Sequence, residues 1–194
     1  MPGRPRTITD DAILAATSRA ISRVGPARLT LADVAVEASL APATLMQRFG
    51  SKRNLLLAFA EQASAGVEHA FARAREVHSS PLAALVADLI GATRAFKTPN
   101  ELANHLAFLQ LELSDPEFHQ HTLAHAQAVR EQIKQLLDAA VEARELTPCD
   151  TIRLAEALHS AYNGTLITWA ILRRGRLVTA LRRQIEFVLS PYRQ

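Results

Sequence analysis

The side chains with the clearest chemistry lie between Leu29 and Leu57, in the run LTLADVAVEASLAPATLMQRFGSKRNLLL. Gln47 carries a planar amide that can form paired hydrogen bonds with an adenine edge, and Arg48 carries a guanidinium that can reach guanine or phosphate. Thr44 and Lys52 can hold phosphate oxygens, each near the N-terminus of a helix. Pro42 and Ala43 can touch only thymine methyls or a groove wall. Further upstream, Gly3-Arg4-Pro5-Arg6 has the composition of short arms that lie in narrow, electronegative minor grooves. These groups bind and discriminate; none of them makes or breaks bonds.

Other reactive residue types lack company. His121 and His125 share a helix face one turn apart, with His119 and Glu117 close by. No Cys or further carboxylate completes a metal shell, so a solvated helix start is expected there. The single cysteine, Cys149, excludes an internal disulfide and fits a reducing compartment. There is no Gly-rich phosphate loop, nucleophile motif or ordered His/Asp/Glu set, so no catalytic residue, metal or cofactor is expected.

The charge is uneven. Residues 1–54 hold eight Lys and Arg against four Asp and Glu, whereas residues 55–194 hold fourteen against fifteen. The basic excess therefore sits beside the candidate nucleic-acid groups, as electrostatic contact with phosphates requires. Hydrophobic residues make up 48% of the chain, enough for a sizeable core. The N-terminus lacks the apolar run of a signal peptide, and nothing approaches the roughly 18 apolar residues of a membrane span. A soluble, cytoplasmic protein is expected.

These groups have to be positioned by helices. Ala and Leu dominate, and no stretch alternates like a strand. Ser80-Pro81, Thr98-Pro99, Asp115-Pro116 and Thr147-Pro148 each place a capping side chain before a proline, and Thr147 with Asp150 has the spacing of a capping box. Gly25, Gly50 and Gly175 mark helix ends. The pattern predicts an all-α chain of about nine helices at 9–24, 30–38, 42–48, 51–77, 81–96, 99–113, 116–145, 148–174 and 177–189.

The N-terminal helices form a helix-turn-helix. Thr9 caps the first helix, with Asp10 and Asp11 in its first turn and Ile13, Ala16, Ala20, Ile21 and Val24 on its inner face. Thr30 and Asp33 form a capping box for the second helix, in which Val34, Ala35 and Ala38 are small enough for close crossing. Leu40 fills the turn. Leu45 and Phe49 point inward from the third helix, leaving Pro42, Ala43, Thr44, Gln47 and Arg48 to face outward.

Over residues 8–57 the chain resembles the DNA-binding domain of the tetracycline-repressor (TetR) family of bacterial transcriptional regulators. The matching residues are Gly25, Thr30, Val34-Ala35, Ala38-Ser39-Leu40-Ala41, Ala43-Thr44-Leu45-Met46, Phe49, Ser51-Lys52 and Leu55-Leu56, in register without a gap. Three residues depart from the family pattern. Ser39 stands where a turn glycine is usual, Ala41 where a capping serine is usual, and Met46 where a phosphate-contacting tyrosine is usual.

The resemblance implies an N-terminal DNA-binding domain at 1–54 and a helical ligand-binding and dimerisation domain at 55–194. The candidate DNA contacts are Arg4, Arg6, Thr30, Pro42, Ala43, Thr44, Gln47, Arg48 and Lys52. The last two helices are more apolar than one-sided packing requires, and in the family they form a dimer bundle. Leu154, Leu158, Ala161, Leu166, Leu181, Ile185 and Val188 are the candidate interface residues. The family also implies an effector cavity between the middle helices, with Phe96, Leu106, Leu109, Phe118, His159, Tyr162, Asn163 and Trp169 as candidate lining and a lipophilic or aromatic molecule as occupant. The expected function is a homodimeric, ligand-responsive regulator, acting as a repressor at a palindromic double-stranded operator. The alternative is a helical interaction or architectural protein with a degenerate helix-turn-helix, for which the departures at Ser39, Ala41 and Met46 are the support.

Overall fold

A computed structural model of the chain describes residues 8–193. Arg4 and Arg6, and with them the predicted minor-groove arm, lie outside the described residues. The described residues form ten α-helices: α1 (Asp10–Val24), α2 (Leu31–Ala38), α3 (Pro42–Phe49), α4 (Lys52–Ala65), α5 (Val67–Val77), α6 (Pro81–Gly91), α7 (Pro99–Ser114), α8 (Pro116–Glu142), α9 (Thr151–Leu172) and α10 (Leu177–Leu189). A short 3-10 turn, Ser190–Tyr192, follows α10. The fold is all-α, as expected.

Local chemistry explains most of the boundaries. Thr9, Thr30, Ser51, Ser80, Thr98 and Asp115 each accept a backbone N–H in the first turn of the helix they cap. At Thr30 the capping box is complete: Asp33 N–H donates to Thr30 Oγ1 and Thr30 N–H donates to Asp33. Hydrogen bonds from the Thr30 side chain, then from its backbone, hold the Asp33 carboxyl below its usual range, aided by Arg23.

Several expected boundaries move, among them the end of the helix predicted over 116–145, which stops at Glu142. The helix predicted over 51–77 divides at Gly66, where the low helix propensity of glycine coincides with Ser64 turning its hydroxyl back onto Glu61 O. The helix predicted from 148 begins at Thr151 and is capped by Asp150. Thr147 is not a cap: its N–H and its hydroxyl both donate to Tyr192 O, at 2.7 and 3.2 Å, which ties Tyr192 to the loop between α8 and α9. The helix predicted over 81–96 stops at Gly91, because Thr93 donates its hydroxyl to Ile90 O and a series of tight turns follows. The predicted 148–174 helix also ends early, at Leu172, with Arg173 in the left-handed region at φ 54°.

The apolar side chains collect in three clusters. One unites α1–α4: Ile13, Leu14, Ile21, Leu29, Val34, Leu45, Leu55 and Leu56 pack with Phe108 of α7 and Phe118 of α8. A second joins α5, α6, α8, α9 and α10 around Phe71, Leu85, Leu89, Ile133, Leu137, Leu158 and Ile185. The third holds Leu102, Leu166, Trp169, Leu177 and Leu181, with Phe96, Leu106 and Tyr162 against it. The core of the N-terminal helices therefore does not stop at residue 54; it includes the corner between α7 and α8.

Candidate nucleic-acid interface

α3 is held by its inner face. Leu45 is fully buried and Phe49 packs against the same cluster. The turn before it is closed by Ser39, at φ 55° and ψ 43°, with Leu40 N–H donating to Ala35 O (2.9 Å) and Ser39 N–H to Val36 O (3.2 Å). These are the paired bonds of a Schellman close, and they force Ser39 into a conformation that favours glycine. No side chain caps α3 at Ala41. Gly25 ends α1 at φ 76°, and a Cβ there would lie 3.1 Å from Asn104 Oδ1. Asn104 itself donates to Ser22 O and Arg23 O, so α7 caps the carbonyl end of α1.

The outer face of α3 presents Pro42, Ala43, Met46 and Gln47 to solvent, with Thr44 half-buried. Thr30 is exposed, with its hydroxyl within the capping box. Arg48 is exposed but engaged: Nη1 donates to Ile8 O at 2.7 Å and to Asp10 Oδ1 at 3.1 Å. Lys52 lies half-buried and donates to Pro26 O at 2.8 Å, in the loop between α1 and α2. Arg48 and Lys52 thus brace the N-terminal helices in this structure. Every other basic side chain from residue 8 to 54 also has a partner. Arg19 and Arg23 pair with Glu37, Arg23 reaches Asp33, and Arg28 donates to Val24 O. Arg53 spans Asp115 (2.7 Å) and Glu117 (2.6 Å), with its guanidinium over the Phe118 ring at 5.4 Å. That bridge, and the depressed Asp115 carboxyl that Arg53 produces, joins α4 to the corner between α7 and α8.

The effector candidates do not share one place. Phe96, Leu106, Tyr162 and Trp169 converge on the third cluster. Trp169 donates its indole N–H to Gly175 O (3.1 Å). Burial, then the Asp88 charge, pushes the Tyr162 phenol up to about 12. Leu109 and His159 are half-buried, and burial followed by His125 and Arg130 lowers the His159 pKa. Phe118 is a correction: it is 1% exposed and edge-on to Phe108 in the α1–α4 cluster, because α8 begins beside the N-terminal helices. Asn163 is a second correction, since it faces solvent on α9.

Sequence reasoning missed His105. It packs against Phe96 with ring centroids 4.9 Å apart, its Nδ1 is buried without a hydrogen-bond partner, and burial lowers its pKa. The signal was its spacing with Leu102, Leu106 and Leu109, which puts it on the apolar stripe of α7.

Five of the expected interface residues also need correction. Leu154, Leu158, Leu166, Leu181 and Ile185 are buried in the chain's own core, and Ala161 and Val188 are half-buried. The large apolar residues that α9 and α10 leave uncovered are Ile152, Ile167, Ile171, Leu172 and Phe187, with Ile171 71% and Phe187 72% exposed.

The three histidines lie in the first turns of α8. His125 Nδ1 lies 3.0 Å from Ala63 O, while His119 is exposed. Among the described residues no set of three or more His, Cys, Asp or Glu side chains is placed to hold a metal ion. Burial, then Asp150 and Asp138, raises the Cys149 thiol pKa, which makes it a poor nucleophile. No helix among the described residues is long and apolar enough to cross a membrane.

Residues 13–59 match the family model described as bacterial regulatory proteins, tetR family. Comparison with curated proteins gave no match. Solved structures align over nearly the whole chain. A TetR transcription regulator from Haloarcula marismortui is 18% identical with a TM-score of 0.77, covering 95% of this chain and 98% of its own. SmeT, the repressor of the Stenotrophomonas maltophilia multidrug efflux pump SmeDEF, is 20% identical with a TM-score of 0.66, covering 97% and 92%. FadR from Bacillus subtilis, solved with stearoyl-CoA, is 16% identical with a TM-score of 0.68, covering 94% and 98%. Residues 13–59 thus match the tetR family model, and the fold of the solved regulators extends over nearly the whole chain.

Proposed function

We propose that the chain is a homodimeric transcriptional repressor, acting in the cytoplasm, whose hold on a palindromic operator is weakened by a small-molecule effector. The observation that carries this reading is α3: a family-matched helix locked from behind by Leu45 and Phe49, with Pro42, Ala43, Met46 and Gln47 free on its outer face. Such a helix inserts into a major groove, and two of them on a two-fold axis match half-sites about one helical turn apart. The uncovered large apolar residues on α9 and α10 support self-association, because a partner packed there would remove them from water.

Effector response is supported by the build of the fold. The cluster around Phe96, Leu106, Tyr162 and Trp169 holds His105 with an unpaired ring nitrogen, a polar handle within an apolar setting. The far end of α7, at its corner with α8, is fastened to α4 through Arg53. A ligand that favours one placement of α7 would bias the position of α3, and to that extent alter operator affinity. The solved relatives include a described repressor and a protein holding a long-chain acyl thioester, which fits a lipophilic effector for this chain.

The test is footprinting on the DNA upstream of the protein's own gene, with sedimentation in parallel. A palindromic protected site bound by a dimer supports the proposal. Binding that is absent, or that shows no salt dependence, favours an interaction protein with a degenerate helix-turn-helix.

A further inference from the structure

The partners of the basic side chains around α3 narrow what this helix can recognise. Guanine is read in the major groove chiefly by Arg or Lys across O6 and N7, adenine by Gln or Asn across N6 and N7, and thymine by apolar contact with its methyl. On α3 the only basic residue is Arg48, and its Nη1 is divided between Ile8 O and Asp10 Oδ1. Lys52, one turn beyond, is directed back to Pro26 O. What remains free on the outer face is one amide and a set of apolar groups. Ala43, Met46 and Gln47 stand at i, i+3 and i+4, hence on one side of the helix, and all three are exposed. Met46 is 52% exposed, a large apolar side chain that the described residues leave half uncovered.

We propose that α3 reads A·T base pairs: Gln47 on an adenine, Ala43 and Met46 on thymine methyls, with no guanine reader on the helix. Arg48 is a positioning residue, which fastens the backbone at Ile8, where the N-terminal arm joins, to the C-terminal end of α3. This inference rests on the DNA-binding reading above and adds the base class of its target. Met46 gains a role that its departure from the family pattern had left open, since a thioether can pack on a methyl where a phenol would seek a phosphate.

The experiment is selection from a randomised duplex library with the full-length protein, followed by variants on the best duplex. Each enriched half-site is expected to carry A·T pairs under α3. Gln47→Ala should lose the preference for adenine at one position per half-site, by about 5- to 150-fold. Replacing thymine by uracil under Ala43 or Met46 should weaken binding about fourfold per methyl removed. Arg48→Met should leave every base preference unchanged while lowering affinity uniformly, and its thermal melt separates that effect from misfolding. Guanine enriched under α3, with the preference lost in Arg48→Met, would show that Arg48 leaves Asp10 to read the base and would overturn the inference alone. A library from which no sequence is enriched would overturn the DNA-binding reading itself, and this inference with it.

Discussion

Replacing Ser39 by glycine should stabilise the N-terminal helices. Ser39 sits at φ 55° and ψ 43° because the hydrogen bonds that close α2 demand it. In that region Cβ crowds the neighbouring carbonyl, at a cost of about 1–2 kcal/mol for an L residue. Ser39 is exposed, so glycine leaves no cavity, and neither of the hydrogen bonds at the turn uses its hydroxyl. Against the relief stands the larger conformational entropy that glycine loses on folding, about 0.5–1 kcal/mol. The net gain is centred near ~0.75 kcal/mol, or roughly 2–3 °C in Tm for a chain of this size. Far-UV circular dichroism during thermal and urea denaturation measures it, with Ser39→Ala as the control that keeps Cβ. A glycine variant no more stable than the wild type, beside an alanine variant that equals or exceeds it, would refute the strained turn. Operator affinity should not move, since the conformation of the turn is already set.

Three further outcomes are expected. Leu45→Ala empties a fully buried position under α3 and should cost about 2–5 kcal/mol, read as an early melting phase with loss of DNA binding. Ile171→Glu combined with Phe187→Glu should yield a folded monomer in sedimentation, because both sites are exposed and removing them disturbs no core; an unchanged mass would place self-association elsewhere. Burial holds the His105 pKa below its usual value near 6.5, so the folded chain resists a proton that the unfolded chain accepts. Stability in urea should therefore be level above about pH 6.5 and fall as pH drops below it, down to the folded pKa; His105→Leu should flatten that slope, and an identical slope in the variant would rule His105 out as its source.

Much of this molecule was legible in the sequence. The capping residues Thr9, Thr30, Ser80, Thr98 and Asp115 stand at helix starts, and Ile13, Ile21 and Val34 are buried at helical spacing. The exception at Thr147 is instructive. Its type and its proline neighbour fit a cap, but Tyr192 O, 45 residues away, claims its hydrogen bonds. The candidate site was legible only in part. Residue types marked Arg48 and Lys52 as candidate DNA contacts, yet the partners they take, Asp10 and Pro26, lie far off in sequence. Apolar spacing marked α9 and α10 as surfaces for packing, and it could not say which apolar residues the chain keeps for itself.

The sequence by itself determined the all-α class, most helix starts, and a helix-turn-helix with Gln47 on its outer face. Those properties depend on interactions within a turn or two of helix, where residue type and spacing are sufficient. Only the tertiary structure decided that Phe118 belongs to the core of α1–α4, that Arg53 bridges to Asp115 and Glu117, and that Ile171 and Phe187 remain uncovered. Each of these depends on which distant helix packs alongside. An apolar stripe records that a face is to be buried but not against what, and a charged side chain takes the partner that the packing of other helices brings within reach.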